Sequence, residues 1–227
     1  MKPHIQIKRT QALTRMEILA IIAIVAILAL LFLPRVATKR KPPHRYTRSP
    51  QIECVNNLKQ VGLALRIWEG DNNGKYPMSV SVTNGGGMEL IADGNVAGCF
   101  QVVSNELSTP RILICPADKD RVSAANFQKD FNNSHISYFI NPDADESHPQ
   151  QIMSGDDNLA VNDVPVKSGL VAIPFEEISW TPDRHGSAGN VLYADGSVSE
   201  ISSAGLKSAA KLSVEGTSVA DNRFAVP

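Results

Sequence analysis

Only three cysteines, two tryptophans and 6% aromatic residues occur in this 227-residue chain. An odd cysteine count excludes the fully paired disulfide framework that holds many small secreted domains together. Signatures of catalysis are also missing. No G-x-S-x-G elbow, H-E-x-x-H pair or phosphate-binding loop occurs, and Gly85-Gly86-Gly87 lacks the Lys-Ser that would complete such a loop. The chain therefore reads as not an enzyme, with a tethered hydrolase as a distant third reading. Acid is nearly absent from the first fifty residues, where ten Lys or Arg stand against Glu17 alone. The remainder carries twelve basic and twenty-two acidic residues, so the net charge of -1 conceals two opposite halves. The basic cluster is interleaved with a single aromatic residue, Tyr46, and nucleic acid is not expected as a partner. There is no internal repeat and no low-complexity tract.

One long apolar run is present, from Ile18 to Leu33. Its sixteen residues measure about 24 Å as a helix, against about 30 Å for the hydrocarbon core of a bilayer. Leu13, Met16 and snorkelling Arg15 and Arg35 are expected to lengthen the span. Glu17 stands at the lip of the run, where an ionised, unpaired carboxylate would be costly to bury. Basic residues flank both ends: Lys2, Lys8, Arg9 and Arg15 before, and Arg35, Lys39, Arg40, Lys41, Arg45 and Arg48 after. Charge asymmetry therefore does not orient the segment, and the trailing basic residues suit anionic lipid headgroups. A secretory signal peptide is disfavoured, because Pro34-Arg35-Val36-Ala37 is a poor A-x-A cleavage site.

The passage from Ala12-Leu13-Thr14-Arg15-Met16-Glu17 into the apolar run resembles the N-terminal signal of type IV prepilins and type II secretion pseudopilins. In that family a short basic leader ends in a small residue, a hydrophobic residue follows the cut, and Glu is the fifth residue after it. The family prefers Gly where this chain has Ala12, Phe where it has Leu13, and an apolar residue where it has Arg15. Pro34 falls where pilins commonly carry a helix-kinking proline. The resemblance implies that a prepilin peptidase removes the basic leader 1–12 between Ala12 and Leu13, and that the new amine is methylated. It further implies a transmembrane helix over 13–35. The protein would be single-pass in the inner membrane, with its N-terminus cytoplasmic and its head periplasmic. Glu17 would be the assembly residue, pairing with the N-terminal amine of a neighbouring subunit. An uncleaved signal anchor is the plainer alternative.

Residues 36–50 form a basic, Pro-rich linker in which Pro42, Pro43 and Pro50 should interrupt any helix, unlike the continuous helix usual in pseudopilins. A second amphipathic helix follows, with Ile52, Val55, Leu58, Val61, Leu65 and Trp68 at helical spacing, ending at Gly70-Asp71-Asn72-Asn73-Gly74. The expected fold class is α+β and pilin-like: an N-terminal transmembrane helix, a break, then a helix packed on a small antiparallel sheet with long loops. The head, 51–227, is large enough to fold alone. Within it a short helix is expected near Phe100 to Leu107, strands at Arg111–Cys115 and His135–Ile140, and an acidic loop over 141–165. Two further strands, Asn190–Ala194 and Ser197–Ile201, should flank a type I′ turn at Asp195-Gly196, followed by a helix from Ser203 to Leu212.

His185, nine residues and then Asp195-Gly196 match the H-X9-DG motif of a large group of bacterial prepilin-type proteins. Three other segments resemble the same group: Cys54-Val55-Asn56-Asn57-Leu58-Lys59-Gln60, Cys115-Pro116-Ala117-Asp118, and Ser154-Gly155-Asp156-Asp157-Asn158. The plainer reading of the motif is that Asp195-Gly196 is only a turn and His185 only a satisfied polar residue; an Asp195–His185 hydrogen bond would in addition pin the hairpin to the preceding loop. The sharper reading is a calcium site drawn from His185, Asp195, Asp118, Asp156 and Asp157. Cys54 and Cys115, both in family-like segments, are the preferred disulfide pair, with reduced, buried thiols as the alternative. The expected function is a structural subunit or adaptor of a type II secretion pseudopilus or type IV pilus-like fibre, with other pseudopilin subunits and the secretion machinery as partners. The alternative is a membrane-tethered periplasmic binding module that does not polymerise.

Overall fold

The first helix, α1 (Arg15–Val36), is apolar on all sides, because Ile, Leu, Val and Ala occupy its turns without a polar stripe. A computed structural model describes residues 14–36 and 50–227, with side chains through 29 in the first of these segments. The chain divides into two compact units, one ending at Thr47 and one beginning at Arg48. Ile18, Leu19, Ile21, Ile22, Ile24, Val25, Ile27 and Leu28 are all exposed. Among the described residues, no helix is long and apolar enough to cross a membrane. This corrects the expected transmembrane helix over 13–35 and, with it, the inner-membrane, single-pass placement of the protein. The physical reason lies in the charges. Arg15, Glu17 and Arg35 confine the apolar stretch to Ile18–Leu33, about 24 Å of helix against about 30 Å of hydrocarbon. The leader, the cleavage junction at Ala12 and Leu13, and most of the Pro-rich linker lie outside the described residues.

In the second unit, α2 (Pro50–Asp71) opens on a proline, whose fixed φ suits the first helical position and whose missing N–H costs nothing there. Cys54, Leu58, Val61, Ala64, Leu65 and Trp68 form its buried stripe, at the spacing of one helix face. Ile52 is exposed and does not belong to that face. Three short helices follow, α3 (Met88–Ala92), α4 (Val96–Val102) and α5 (Ser104–Leu107). The expected strand over Arg111–Cys115 is instead a 3-10 turn, Pro110–Leu113, because Pro110 starts it and the Thr109 side chain caps it by accepting from the Arg111 N–H.

Nine strands complete the head: β1 (Tyr138–Ile140), β2 (Ile152–Asp156), β3 (Leu159–Val161), β4 (Val164–Pro165), β5 (Gly169–Ile173), β6 (Ile178–Trp180), β7 (Ala188–Tyr193), β8 (Val198–Ser202) and β9 (Asn222–Val226), with α6 (Ser203–Val214) between the last two. The main sheet is six-stranded, in the order β5-β9-β1-β2-β7-β8, and every neighbouring pair is antiparallel. A second sheet runs β4-β3-β6. The expected small sheet is thus too modest, and the acidic stretch 141–165 is not a loop, since β2, β3 and β4 fall inside it.

Residues of the main sheet alternate between two cores, as the period of a strand requires. Tyr138, Ile140, Met153, Leu192 and Ala225 face α2 together with Leu58, Val61 and Leu65. Phe139, Ile152, Val191, Phe224 and Val226 face the opposite way, onto α6 and the small sheet. A three-layer arrangement results, with the six-stranded sheet in the middle. Helix α2 sits close to β7, because Gly62 leaves room for Leu192: a Cβ there would come within 2.7 Å of Leu192 Cδ1.

Gly155, in β2, is required by a different contact. A Cβ would lie 2.8 Å from the backbone oxygen of Asn190 and 2.9 Å from the Phe139 ring. A backbone oxygen held in a strand pair has little freedom to retreat. Gly155→Ala should therefore lower head stability by about 1–3 kcal/mol, the usual scale of overpacking, and a urea melt of the full chain checks it. A loss below about 0.5 kcal/mol would mean that β2 and β7 separate easily.

Candidate metal centre

Three of the motif-like segments and His185 of the fourth converge on one end of α2 and of the main sheet. Cys54 comes from the first turns of α2. Cys115 follows the 3-10 turn, and the Asn57 side chain fastens that loop to α2 by donating to the Ile114 carbonyl at 3.1 Å. Asp156 ends β2, paired opposite Tyr138 on the face toward α2. His185 lies in the loop before β7, where His185, Gly186 and Ser187 all have positive φ, at 49°, 65° and 67°. Two consecutive-but-one non-glycine residues in the left-handed region cost free energy, and the turn they make aims the imidazole inward.

One potential ligand atom from each of Cys54, Cys115, Asp156 and His185 lies within 4.8 Å of the others. Cys54 Sγ is 3.0 Å from Asp156 Oδ1, Cys115 Sγ is 3.2 Å from His185 Nε2, and His185 Nε2 is 3.5 Å from Asp156 Oδ2. Cys54, Cys115 and Asp156 are fully buried, and the His185 side chain is 2% exposed. Asp156 Oδ2 also accepts the Asn190 backbone N–H at 2.7 Å and its side-chain amide at 2.8 Å, which fixes the carboxylate in orientation.

The electrostatics follow from this crowding. The hydrogen bond with the Cys54 thiol, helped by His185 and the Ala117 N–H, pulls the Cys115 thiol down to about 5, against the opposing effect of burial. Burial pushes the Cys54 thiol up. The two cysteines move apart because a closely coupled pair ionises one member first, and Cys115, with the backbone and imidazole donors, is the one that does so. Burial, reinforced by the Cys115 thiolate, raises Asp156 to about 6. His185 is raised chiefly by its hydrogen bond to Cys115, with Asp156 adding to it.

A second set of buried charges lies alongside and is neutralised within the chain. Arg184 Nη2 contacts Asp118 Oδ2 at 2.6 Å, and its Nη1 contacts Asp157 Oδ1 at 2.5 Å. Arg121 bonds Asp157 and stands 3.4 Å from Asp118. The Ser137 hydroxyl donates to Asp118 Oδ2 at 2.8 Å. Three of the chain segments therefore serve both sets. Cys115 and Asp118 share one segment, Asp156 and Asp157 are adjacent, and so are Arg184 and His185.

This arrangement revises several expectations. His185 does not meet Asp195. The six residues of β7 lie between them, and an extended strand of that length separates its ends by roughly 17 Å. His185 pairs with Asp156 and Cys115 instead. Asp195-Gly196 does close a hairpin between β7 and β8, although not with a two-residue type I′ turn. Gly196 alone has positive φ, at 84°, and donates its N–H to the Tyr193 carbonyl, while the Tyr193 N–H reaches the Ser197 carbonyl. Ala194, Asp195 and Gly196 thus form a three-residue loop. Asp195 accepts from the Ser197 N–H at 2.8 Å and stays with the turn. The oxygen set considered for calcium is not assembled, because Asp118 and Asp157 are committed to arginines and Asp195 to its loop. Cys54 and Cys115 come together as free thiols rather than as a disulfide, and Cys99, buried in α4, is also free.

Sequence reasoning missed Arg121 and Arg184, and it missed the function Glu17 serves in its own helix. Thr14 and Glu17 form a capping box. The Thr14 N–H and hydroxyl both donate to Glu17 Oε2, at 2.8 and 3.1 Å, and the Glu17 N–H faces Thr14 Oγ1 at 3.4 Å. Thr14-Arg15-Met16-Glu17 spells that pattern directly. Comparison with protein-family models, with curated proteins and with solved structures found no match.

Proposed function

We propose that the protein is a structural subunit of a pilus-like fibre of the type II secretion or type IV class, cut by a prepilin peptidase between Ala12 and Leu13. The observation that carries this reading is α1, whose apolar side chains are exposed around the whole helix from Ile18 to Leu28. A helix that is hydrophobic all round is stable only when other apolar surfaces cover it. A bundle of α1 helices from successive subunits would provide that cover. The prepilin-like junction at Ala12, Leu13 and Glu17 supports the same reading. In such a bundle the Glu17 carboxylate would cap its own helix and also pair with the N-terminal amine of the adjacent subunit, setting register in an apolar surrounding.

The two duties of Glu17 can be separated. Glutamine satisfies a capping box as glutamate does, but it carries no charge. Glu17→Gln should therefore retain the α1 cap and lose crosslinkable oligomers, whereas Glu17→Ala should lose both. Crosslinking in cells together with mass spectrometry of the mature N-terminus reads these outcomes. Undiminished oligomers in Glu17→Gln would remove the charge-pairing role, and an intact Met1 in all of the protein would remove processing.

A second reading, a binding module that does not polymerise, has one feature in its favour. A cleft of about 380 Å³ lies beside Arg121 and Arg184. Within its lining, Asn158 Oδ1 and Thr181 Oγ1 are buried without a hydrogen-bond partner among the described residues. Monomeric protein with an unprocessed N-terminus would favour this reading over the fibre.

A further inference from the structure

We propose that Cys54, Cys115, Asp156 and His185 form a tetrahedral structural site for one zinc-class divalent cation. The inference is independent of the fibre reading, since it concerns the internal construction of the head.

Four observations carry it. First, the donor set is of the right kind: two sulfurs, one imidazole nitrogen and one carboxylate oxygen, the mixture that zinc accepts and that calcium or magnesium does not. Second, the dimensions fit. Bonds of about 2.3 Å to sulfur and about 2.0–2.1 Å to nitrogen and oxygen place tetrahedral ligand atoms roughly 3.3–3.8 Å apart. Three of the six separations are 3.0, 3.2 and 3.5 Å and all six lie within 4.8 Å, so rotations of the side chains would bring the four atoms to that spacing around an ion.

Third, no lysine or arginine neutralises the site, where the His185 imidazole alone faces two sulfurs and a carboxylate. Asp118 and Asp157, also buried, are each held by arginines. Asp156 is fully buried and, among the described residues, no lysine or arginine is paired with it; its contacts are Cys54, the Asn190 amides and His185. A carboxylate beside two sulfurs in the interior is stable when a cation joins them. Fourth, the surrounding groups already orient the ligands. Asn190 holds Asp156, Asn57 fastens the chain beside Cys115 through the Ile114 carbonyl, and the strained turn at 185–187 delivers His185. These are the roles that outer-shell groups play around metals. With four protein ligands and almost no exposure, the site has no open position, which assigns it to architecture rather than catalysis.

The test uses the full chain, reduced and stripped of metal, and titrated with Co²⁺. A single equivalent should bind, giving the visible bands of tetrahedral cobalt and a thiolate-to-cobalt charge-transfer band, and Zn²⁺ should displace it. Cys54→Ser and Cys115→Ser should each weaken cobalt binding by more than the about 10- to 100-fold typical of an outer-shell loss, while Cys99→Ser should leave it unchanged. Zn²⁺ should raise the Tm of the wild type and of Cys99→Ser, and should not raise that of Cys54→Ser. If either serine variant fails to fold, Asp156→Asn and His185→Gln, which keep the shape of the side chains, should still alter the cobalt spectrum. Titration without a thiolate charge-transfer band, equal binding by wild type and the Cys54 and Cys115 variants, or isolation of the native chain with Cys54 joined to Cys115 would each overturn the site.

Discussion

Arg184→Ala should be among the most damaging single substitutions in the head, lowering its stability by about 3–5 kcal/mol. The arginine is 11% exposed and stands between two carboxylates, Asp118 and Asp157, that are 1% and 3% exposed. Removing it leaves two buried negative charges to share Arg121. Breaking a buried ion pair from one side costs far more than the intact pair contributes, because the orphaned charge has lost its water and gained nothing in return. Arg184→Lys should rescue only partly, since an ammonium cannot present two separate N–H groups to two acids in a fixed plane. Adding Asp157→Asn to Arg184→Ala should recover part of the loss by removing one stranded charge. Urea melts of the four proteins decide the matter. A loss below about 1 kcal/mol in Arg184→Ala would mean that water enters and solvates the acids.

A second large effect is expected on α2. Leu58 is fully buried against the sheet, and Leu58→Ala should cost about 2–5 kcal/mol through lost contacts and the cavity left behind. Leu63 lies on the same helix, is 60% exposed, and should tolerate alanine within about 0.5 kcal/mol. The contrast tests which face of α2 is docked. Equal losses at both positions would indicate that the outer face is also covered by something outside the unit.

The sequence showed α2 clearly because a long amphipathic helix repeats its signal over several turns. It showed the β7–β8 hairpin because Asp195-Gly196 is turn chemistry that few other structures use. It hid β2, β3, β5, β6 and β9 for identifiable reasons. These strands are three to five residues long, and β2 carries Ser154 and Asp156 at positions that a simple hydrophobic pattern would call solvent-facing. Both are buried, one hydrogen-bonded to the Phe139 carbonyl and the other in the ligand cluster. The Arg111–Cys115 run looked like a strand because it is apolar, yet Pro110 had already committed the backbone to a tight turn.

The candidate site was legible residue by residue and illegible as a set. Cys54, Cys115, Asp156 and His185 all stand in segments that the family resemblance singled out. What the sequence could not supply was who meets whom. Motif spacing invited His185 to join Asp195, its neighbour in the pattern, whereas the strand between them forbids it. The true partners are brought in by sheet order and by the docking of α2, and no local signal encodes either. The available hint was compositional: two cysteines, a histidine and a paired aspartate, each in its own marked segment, is a ligand inventory before it is a disulfide or a calcium loop.

The position of β9 has a consequence for how the head is made. The strand is inserted between β5 and β1, although β1 was laid down long before it in chain order. Until residues 222–226 leave the ribosome, β1 and β5 each present an open edge of unpaired amides and carbonyls to the surroundings. An unfinished chain in that condition is a template for the wrong strand, from its own length or from another nascent copy. Synthesis therefore runs ahead of a sheet that is closed late, and a pause or break just upstream of Asn222 would release a molecule whose β5 is cut off from the other strands rather than one merely shortened.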